Sequence, residues 1–307
     1  MSAKTAHVTG PCSIRIQSVL YNSDPRHVDQ ALESTARAVE LAFREGVVNA
    51  AEIALGDCSP LPVFTLDMIA ERERRHHDQG IRRIEYQYFG ANLGSAAGHN
   101  RLLGSAGTDL VMIQNPDVVI APNLIVEMIA PLRRPGIGQV EARQVPLEHP
   151  KYYDPATGET GWASTACSLI PRALLAELEG FDARTFFLYC DDVDLSWRIR
   201  LTGHRVVFQP SAAVFHDKRL SQDGVWMAGA AEQYYSAEAA LLLAHKYSRP
   251  DLAAKLLREF ENSGTDPLIR AAKEYRRRAD AGQLPAPLDP EHRVAEFVDG
   301  AYTTHRW

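Results

Sequence analysis

Several common signatures of function are missing from this 307-residue sequence. No stretch approaches the ~20 consecutive apolar residues that a membrane-spanning helix requires, and residues 1–12 lack the apolar core of a secretory signal. The 4 cysteines (Cys12, Cys58, Cys167, Cys190) show no Cys-x-x-Cys spacing, so neither a zinc site nor a disulfide framework is indicated. The formal net charge of −6 argues against binding to nucleic acid. We therefore expect a protein of the reducing cytoplasm, and the sequence leaves open both peripheral membrane association and a homo-oligomer.

A dinucleotide-binding fingerprint is missing as well. The glycines of segment 90–107 stand at positions 90, 94, 98, 104 and 107, which does not spell Gly-x-Gly-x-x-Gly. This spacing disfavours a nicotinamide-dependent dehydrogenase. It predicts a tight loop that leads into a helix of small residues, whose N-terminal N–H groups near Gly94 could bind a phosphate or a sugar. Close packing of that helix on a sheet would explain the glycines equally well.

The first part of the chain alternates between strand and helix patterns. Strand patterns at 13–20, 49–55 and 81–88 are separated by helical patterns at 28–45 and 65–79. This alternation predicts an α/β fold, and in an open sheet of this kind ligands collect outside the carboxyl ends of the strands.

Three polar residues follow the first two predicted strands. Tyr21 and Asn22 follow the first strand and Asp57 follows the second, so these residues lie in the predicted nucleotide site. Asp57 has an alternative interpretation, because an Asp placed shortly before Pro60 can simply form an Asx turn.

A long irregular stretch occupies residues 146–160, after a strand pattern at 138–145. A loop of this length inside an enzyme is more often a binding lid than a connector. The chain is then expected to return to the sheet at 162–167.

Three carboxylates stand together at the start of a helical pattern, directly after the aromatic run 186–189. They are Asp191, Asp192 and Asp194. A helix N-terminus favours carboxylates, and Asp194 and Arg198 have the spacing of an ion pair, so capping is one interpretation. The other is that one carboxylate acts as a general base on a hydroxyl, because burial and a neighbouring like charge both raise its pKa.

A second set of polar residues interrupts or ends apolar runs. Asn115 and Asp117 interrupt the run 110–120, and His216 closes the run 206–216. Mn²⁺ or Mg²⁺ takes few protein ligands when phosphate oxygens complete its shell. The sequence therefore predicts that Asp117 and His216 hold a divalent cation against a diphosphate.

Seven segments in this order resemble glycosyltransferase family 2, in particular its rhamnosyltransferase-like and galactofuranosyltransferase-like members. They read VLYNS, GDCS, NLGSAAGHN, QNPDV, GFD, FFLYCDDVDLSWRIR and PSAAVFH, and they extend over residues 14–216. The resemblance implies a GT-A fold over residues 1–222, with a mixed central sheet flanked by helices. Its Rossmann-like nucleotide-binding half is expected at about 13–118 and its acceptor half at about 119–222. A C-terminal helical region is expected at 223–307.

The resemblance also implies an activity and a role for each matching residue. The protein is expected to transfer a sugar, with inversion, from a nucleoside diphosphate sugar to a hydroxyl of a glycan or glycosylated small molecule, as in polysaccharide biosynthesis. The favoured donors are dTDP- or UDP-linked. Asp192 aligns with the second acid of the family's acidic pair and is the expected general base, while Asp191 and Asp194 are expected to orient the acceptor and support the helix. Trp162 either stacks on an acceptor sugar or is buried in the core. The expected donor-binding residues are Tyr21, Asn22, Asp57, Asn92, Gly94, Asn100 and Asn115.

Two departures from the family pattern and two rival functions qualify these expectations. Cys58 stands where the family often has Asn, and Asn115 replaces the first acid of the Asp-x-Asp metal motif. One rival is a catalytically silent sugar- or nucleotide-binding domain of the same fold. The other is a nucleotidyltransferase, which would be expected to carry a glycine-rich, basic phosphate loop after the first strand. The sequence YNSDPRH at that point is not such a loop.

Overall fold

The computed structural model describes residues 8–216, 228–298 and 300–303. Within these ranges the chain forms one mixed sheet of eight strands. They are Cys12–Leu20 (β1), Val48–Asp57 (β2), Ile81–Tyr88 (β3), Leu110–Gln114 (β4), Val118–Ile120 (β5), Ile137–Val145 (β6), Cys167–Pro171 (β7) and Arg205–His216 (β8). Their order across the sheet is β3-β2-β1-β4-β7-β6-β8-β5.

Helices flank the sheet and continue beyond it. They are Pro25–Arg44 (α1), Leu66–His76 (α2), Gly94–Leu103 (α3), Leu124–Leu132 (α4), Arg172–Glu177 (α5), Asp191–Leu201 (α6), Ala230–Lys246 (α7), Pro250–Glu261 (α8) and Asp266–Asp280 (α9). A short 3₁₀ turn, His77–Gln79, follows α2. Among the described residues, no helix is long and apolar enough to cross a membrane.

The direction of the strands brings many of their ends to one edge. β1 runs parallel to β2 and β4, and β2 runs parallel to β3, so Leu20, Asp57, Tyr88 and Gln114 end at the same side. β7 is antiparallel to β4, and Gln114 therefore lies opposite Cys167, where β7 begins. β6 and β8 run parallel to each other and end at this edge as well. We call this side of the sheet the carboxyl edge.

The predicted strands and helices of the first half are confirmed because their local signals are strong. β4 is buried at all five positions, as expected of a strand covered on both faces. The side chain of Asp24 caps α1 by accepting the N–H of Arg26, and Pro25 opens the helix, where its missing N–H is harmless. α1 ends just before Gly46, whose φ of 66° favours glycine.

The C-terminal helices share a hydrophobic cluster with α6. Trp197 of α6 meets Tyr247 edge-to-face, with ring centroids 4.6 Å apart and an interplanar angle of 78°. Leu241 and Leu243 of α7 and Phe260 of α8 belong to the same buried cluster. α6 is therefore packed between the sheet and the C-terminal helices. The predicted domain boundary at residue 222 lies outside the described residues.

The predicted return to the sheet at 162–167 is completed at Cys167, where β7 begins opposite Gln114. Before that point two backbone N–H groups bind side chains instead of a neighbouring strand. The N–H of Ala163 donates to Ser196 Oγ at 3.0 Å, and the N–H of Ser164 donates to Glu141 Oε1 at 2.9 Å.

Candidate active site

The loops after β1 and β2 are tied together at the carboxyl edge. The N–H of Asn22 donates to Ser59 Oγ at 2.8 Å, and the N–H of Cys58 donates to the carbonyl of Leu20 at 2.9 Å. Asn22 adopts a left-handed conformation with φ of 50°, while the ring of Tyr21 is half exposed. The structure thus leaves an aromatic face open beside the ends of β1 and β2.

Asp57 is completely buried and holds its own loop. Its Oδ1 accepts the N–H of Ser59 at 2.9 Å, and its Oδ2 accepts the N–H of Val63 at 2.7 Å as well as the Tyr86 hydroxyl. Burial, with the hydrogen bond to Asp57, raises the pKa of the Tyr86 phenol. The Asx-turn interpretation of Asp57 is confirmed, and its contact with a donor base stays a prediction.

The start of α3 lies against the turn that leads into α6. Asn92 Oδ1 accepts the N–H of Gly94 at 3.1 Å, and the N–H of Ser95 donates to the carbonyl of Phe187 at 3.0 Å. Gly94 has a φ of +74°, and a Cβ at this position would stand 2.2 Å from the Phe187 carbonyl oxygen. Glycine is therefore required here by both conformation and space.

Asn100, further along α3, fastens the turn that precedes the aromatic run. Its Nδ2 donates to the carbonyl of Phe181 at 2.7 Å, and its Oδ1 accepts the N–H of Phe181 at 2.8 Å. Both ends of the amide are thus used within the protein. Of the predicted donor residues on α3, Gly94 and Asn100 position the 181–190 segment in this structure.

Two adjacent carboxylates begin α6. Tyr189 and Cys190, just before it, both have left-handed backbone conformations with φ of 66° and 54°. Asp191 is only 4% exposed, and within the described residues its Oδ2 has no hydrogen-bond partner. Burial, followed by the charge of Asp192, raises the pKa of Asp191 to about 7, although a hydrogen bond with the side chain of Ser95 opposes the shift.

Asp192 is the more exposed member of this pair. It is partly accessible, and its Oδ1 accepts the N–H of Val193 at 2.8 Å, which is the helix-capping contact expected of a first-turn carboxylate. The Ser95 hydrogen bond to Asp191 places the pair beside the N-terminus of α3, and thus at the carboxyl edge.

Asp194 faces the C-terminal helices. It is fully buried: Oδ2 pairs with Arg198 at 2.8 Å and Oδ1 pairs with Lys246 at 2.6 Å. The Tyr247 hydroxyl also donates to Oδ1 at 3.0 Å. The expected ion pair with Arg198 is confirmed. The expected orientation of the acceptor by Asp194 is corrected to support of α6 and α7, because no surface of this carboxylate reaches the solvent.

Trp162 is also inside the protein, 4% exposed. Its ring meets Tyr302 edge-to-face at 5.3 Å, and the Lys151 ammonium lies 4.1 Å from the ring centroid. Core burial, one of the two interpretations that the sequence left open, is what the structure shows for this residue.

The same lysine fixes the 146–160 loop. Lys151 forms an ion pair with the fully buried Glu141 of β6 and donates to the carbonyl of Trp162 at 2.9 Å. Burial raises the pKa of Glu141 to about 7, against the opposing effect of Lys151. No sequence pattern predicts this pair, because the two residues belong to a strand and an irregular loop with no shared periodicity.

The predicted metal residues do come together at the carboxyl edge. Asp117 immediately precedes β5, and Val118 lies opposite His216 in the sheet. Asp117 Oδ1 is 3.8 Å from His216 Nε2, and Asn115 Nδ2 is 3.4 Å from the same nitrogen. Gln144 Oε1 lies 3.0 Å from His216 Nδ1 and orients the ring, a contact that the sequence did not predict.

This group offers two ligands for a cation rather than a complete cage. In residues 8–216, 228–298 and 300–303, no cluster of three or more His, Cys, Asp or Glu side chains could hold a metal ion. The side chain of Asp117 is 45% exposed and that of His216 15%. A carboxylate and an imidazole with solvent access fit a divalent cation that takes its remaining ligands from phosphate and water.

Comparison with known proteins identifies the family. The family model described as "Glycosyltransferase like family 2" matches residues 58–234, more than half of the chain. The chain belongs to this family.

Individual relatives share a low sequence identity with this chain over part of its length. The N-acetylglucosaminyl-diphospho-decaprenol L-rhamnosyltransferase of Mycobacterium tuberculosis is 30% identical, in a match that covers 42% of this chain and 57% of that protein. The chain thus spans little more than half the length of that family member. An uncharacterized protein of Sinorhizobium fredii is 24% identical over 40% of this chain and 17% of its own length.

Solved structures confirm the predicted GT-A fold. The mannosyltransferase PcManGT of Pyrobaculum calidifontis, in complex with GDP-Man and Mn²⁺, has a TM-score of 0.56 at 17% identity, covering 91% of this chain and 79% of that one. GalNAc-T7, with UDP, GalNAc and Mn²⁺, has a TM-score of 0.61 at 10% identity, covering 90% of this chain and 56% of that one. At these identities the likeness concerns the fold alone.

Proposed function

We propose that the protein is an inverting glycosyltransferase that moves a sugar from a nucleoside diphosphate sugar to a hydroxyl of a glycan or a glycosylated carrier. The observation that carries this proposal is the presence of two arrangements at one edge of the sheet. One is the pair Asp191 and Asp192 at the start of α6, and the other is the contact between Asp117 and His216. A base and a cation site at the same edge of the sheet suit the displacement of a diphosphate by a hydroxyl.

Asp192 is the proposed general base. The acceptor oxygen forms a bond to the anomeric carbon as the bond from that carbon to the diphosphate breaks, and the electron pair leaves with the diphosphate. The hydroxyl proton passes to Asp192, which is partly accessible. Asp191 lies deeper, 4% exposed, and is the proposed positioning residue, because it holds the start of α6 against Ser95 of α3.

Asp117 and His216 would hold the divalent cation, Mn²⁺ or Mg²⁺, which neutralises charge on the leaving diphosphate when bound. Gln144 keeps the imidazole of His216 oriented toward Asp117. The presence of Mn²⁺ in two proteins of similar fold supports the assignment of a divalent cation.

The donor is proposed to lie along the loops after β1, β2 and β4 and the start of α3. Tyr21, Asn22, Asn92 and Asn115 are the proposed contacting residues. Asp57, Gly94 and Asn100 would act indirectly, by holding the loops of the donor site. The side chains of Asp57 and Asn100 are hydrogen-bonded within the protein, and the backbone of Gly94 is packed against Phe187.

The Mycobacterium tuberculosis relative supports a narrower proposal. Its name specifies an L-rhamnosyl group and a glycosylated diphospho-decaprenol, so we favour a deoxysugar on a dTDP- or UDP-linked donor and a lipid-linked glycan as acceptor. Such an acceptor would bring the protein to a membrane surface as a peripheral protein. Location in the cytoplasm and self-association stay predictions from the sequence.

A thermal-shift panel tests the proposed function. dTDP-, UDP- and GDP-sugars are each added with Mn²⁺, Mg²⁺ or a chelator, since a ligand of the native state raises the melting temperature. We expect a metal-dependent rise with one nucleotide class. Absence of any rise would contradict the proposal, and binding without turnover toward any glycan acceptor would favour the catalytically silent domain.

A further inference from the structure

A separate cavity lies between α7, α9 and the turn before α6. Its volume is 490 Å³, within the ~300–1,000 Å³ typical of small-molecule sites. Phe187, Tyr234 and Tyr235 supply its aromatic lining. The rings of Phe187 and Tyr235 are stacked, with centroids 4.8 Å apart, and Tyr234 stands edge-on to Tyr235 at 5.0 Å. Aromatic rings of this kind complement the apolar C–H faces of sugars.

Four charged side chains also line the cavity, and their formal charges cancel. They are Glu238, Arg270, Glu274 and Arg278. Arg278 bridges the two carboxylates, 3.0 Å from Glu238 and 3.1 Å from Glu274. This balance disfavours an anionic ligand such as a phosphate, which would approach both carboxylates. It suits a neutral ligand rich in hydroxyl groups, because carboxylates accept and guanidinium groups donate hydrogen bonds.

Phe187 joins this cavity to the proposed catalytic turn. Its ring lines the cavity, while its carbonyl accepts the N–H of Ser95, whose side chain is hydrogen-bonded to Asp191. A single residue, Ser95, therefore links Phe187 of the cavity to Asp191. The nucleotide, by contrast, is proposed to lie at the ends of β1, β2 and β4, so the cavity is available for the other substrate.

We propose that this cavity binds a neutral sugar ring of the acceptor, next to the hydroxyl that receives the transferred sugar. The inference rests on the proposed transferase function and gives the C-terminal helices a part in acceptor recognition. Tyr235 and Phe187 form the proposed stacking surface, and Arg270, whose guanidinium lies 5.1 Å from the centroid of the Tyr234 ring, also lines the cavity.

Saturation-transfer NMR on the full chain tests the cavity without turnover. The probes are methyl glycosides of N-acetylglucosamine, galactose, rhamnose and mannose. We expect at least one to bind wild-type protein, and Tyr235→Leu to weaken that binding about tenfold while Tyr235→Phe retains it. Binding of none of the probes, or equal binding to the Tyr235→Leu protein, would overturn the proposal.

Two exposed arginines of α9 provide a matched pair in case Tyr235→Leu does not fold. Arg270 lines the cavity, whereas Arg276 is paired with Glu261 and does not line it. We expect Arg270→Ala to weaken glycoside binding and Arg276→Ala to leave it unchanged; equal effects of the two would count against the cavity.

The outcome for the cavity is distinguishable from that for the proposed function. Nucleotide binding and sugar transfer that persist with an unchanged acceptor KM in Tyr235→Leu would reject the cavity and keep the transferase. Glycoside binding that depends on Tyr235, in a protein that binds no nucleotide sugar, would keep the cavity as a sugar site and reject the transferase.

Discussion

The carboxylate of Asp117 lies 3.8 Å from Nε2 of His216, although the two residues belong to the loop before β5 and the end of β8. The pairing of these strands places Val118 opposite His216, so the contact is a direct consequence of strand register. A slip of one residue in β5 would separate the two side chains. The proposed cation site is thus built by the edge of the sheet itself.

Replacement of Asp117 by Ala is expected to remove the metal-dependent part of donor binding. The carboxylate is the only acidic ligand proposed for the cation, so the thermal shift given by a nucleotide sugar with Mn²⁺ is expected to fall to its value with a chelator. Asp78→Ala is a matched control, since Asp78 is another exposed aspartate beside a histidine, 3.6 Å from His77 Nδ1. An unchanged metal-dependent shift in Asp117→Ala would remove Asp117 from the site.

Replacement of Asp192 by Asn is expected to lower the rate of transfer by ~100-fold or more, the range usual for a general base. The amide keeps the shape of the side chain and its acceptor oxygen, so donor binding in the thermal-shift assay is expected to persist. Asp67→Asn, in the exposed first turn of α2, controls for loss of a helix-capping charge. A variant that keeps more than about a tenth of the wild-type rate would exclude Asp192 as the base.

Replacement of Gly94 by Ala is expected to displace the turn before α6. The new Cβ would collide with the Phe187 carbonyl, and a φ of +74° adds strain of about 1–3 kcal/mol for a non-glycine residue. We expect kcat to fall by a larger factor than the loss of folded protein can explain. Urea denaturation measures the accompanying change in the free energy of unfolding. Gly104→Ala is the control at the other end of α3, where the nearest atom would be 3.5 Å from the Cβ. Equal activity of the two variants would contradict the prediction.

Much of the fold follows from local signals in the sequence. β4 and the buried face of α1 are read directly from apolar periodicity, and the break at Asn115-Pro116-Asp117 marks the end of a strand. The capping of α1 by Asp24 and the acidic first turn of α6 are equally local. These features required no knowledge of which strand lies beside which.

The parts of the site that were not predicted depend on distant contacts. Asp57 is the last residue of β2, and its hydrogen bond from Tyr86 depends on the pairing of β2 with β3. Trp162 has the same local sequence whether it stacks on a sugar or on Tyr302. The orientation of His216 by Gln144 likewise depends on the pairing of β6 with β8. Periodicity places such residues on an element but does not identify their partners.

Replacement of Asp191 by Asn is expected to change how stability depends on pH. An aspartate has an ordinary pKa of 3.8, and burial beside Asp192 raises the pKa of Asp191 to about 7 in the folded protein. Between these values the native state holds a proton that the unfolded chain has lost, so the free energy of unfolding falls as the pH rises through this window. Asn does not titrate, so the Asp191→Asn protein never has to bury an ionised carboxylate at this position.

Urea denaturation between about pH 4 and about pH 8 measures this difference. Relative to wild type, Asp191→Asn is expected to gain stability as the pH rises to about 7 and to level off above it, with a total gain of at least about 1 kcal/mol. Glu141, whose pKa is also raised to about 7, titrates in both proteins, so its effect cancels in the comparison. Parallel pH profiles of the two proteins would contradict the raised pKa of Asp191 in the folded protein.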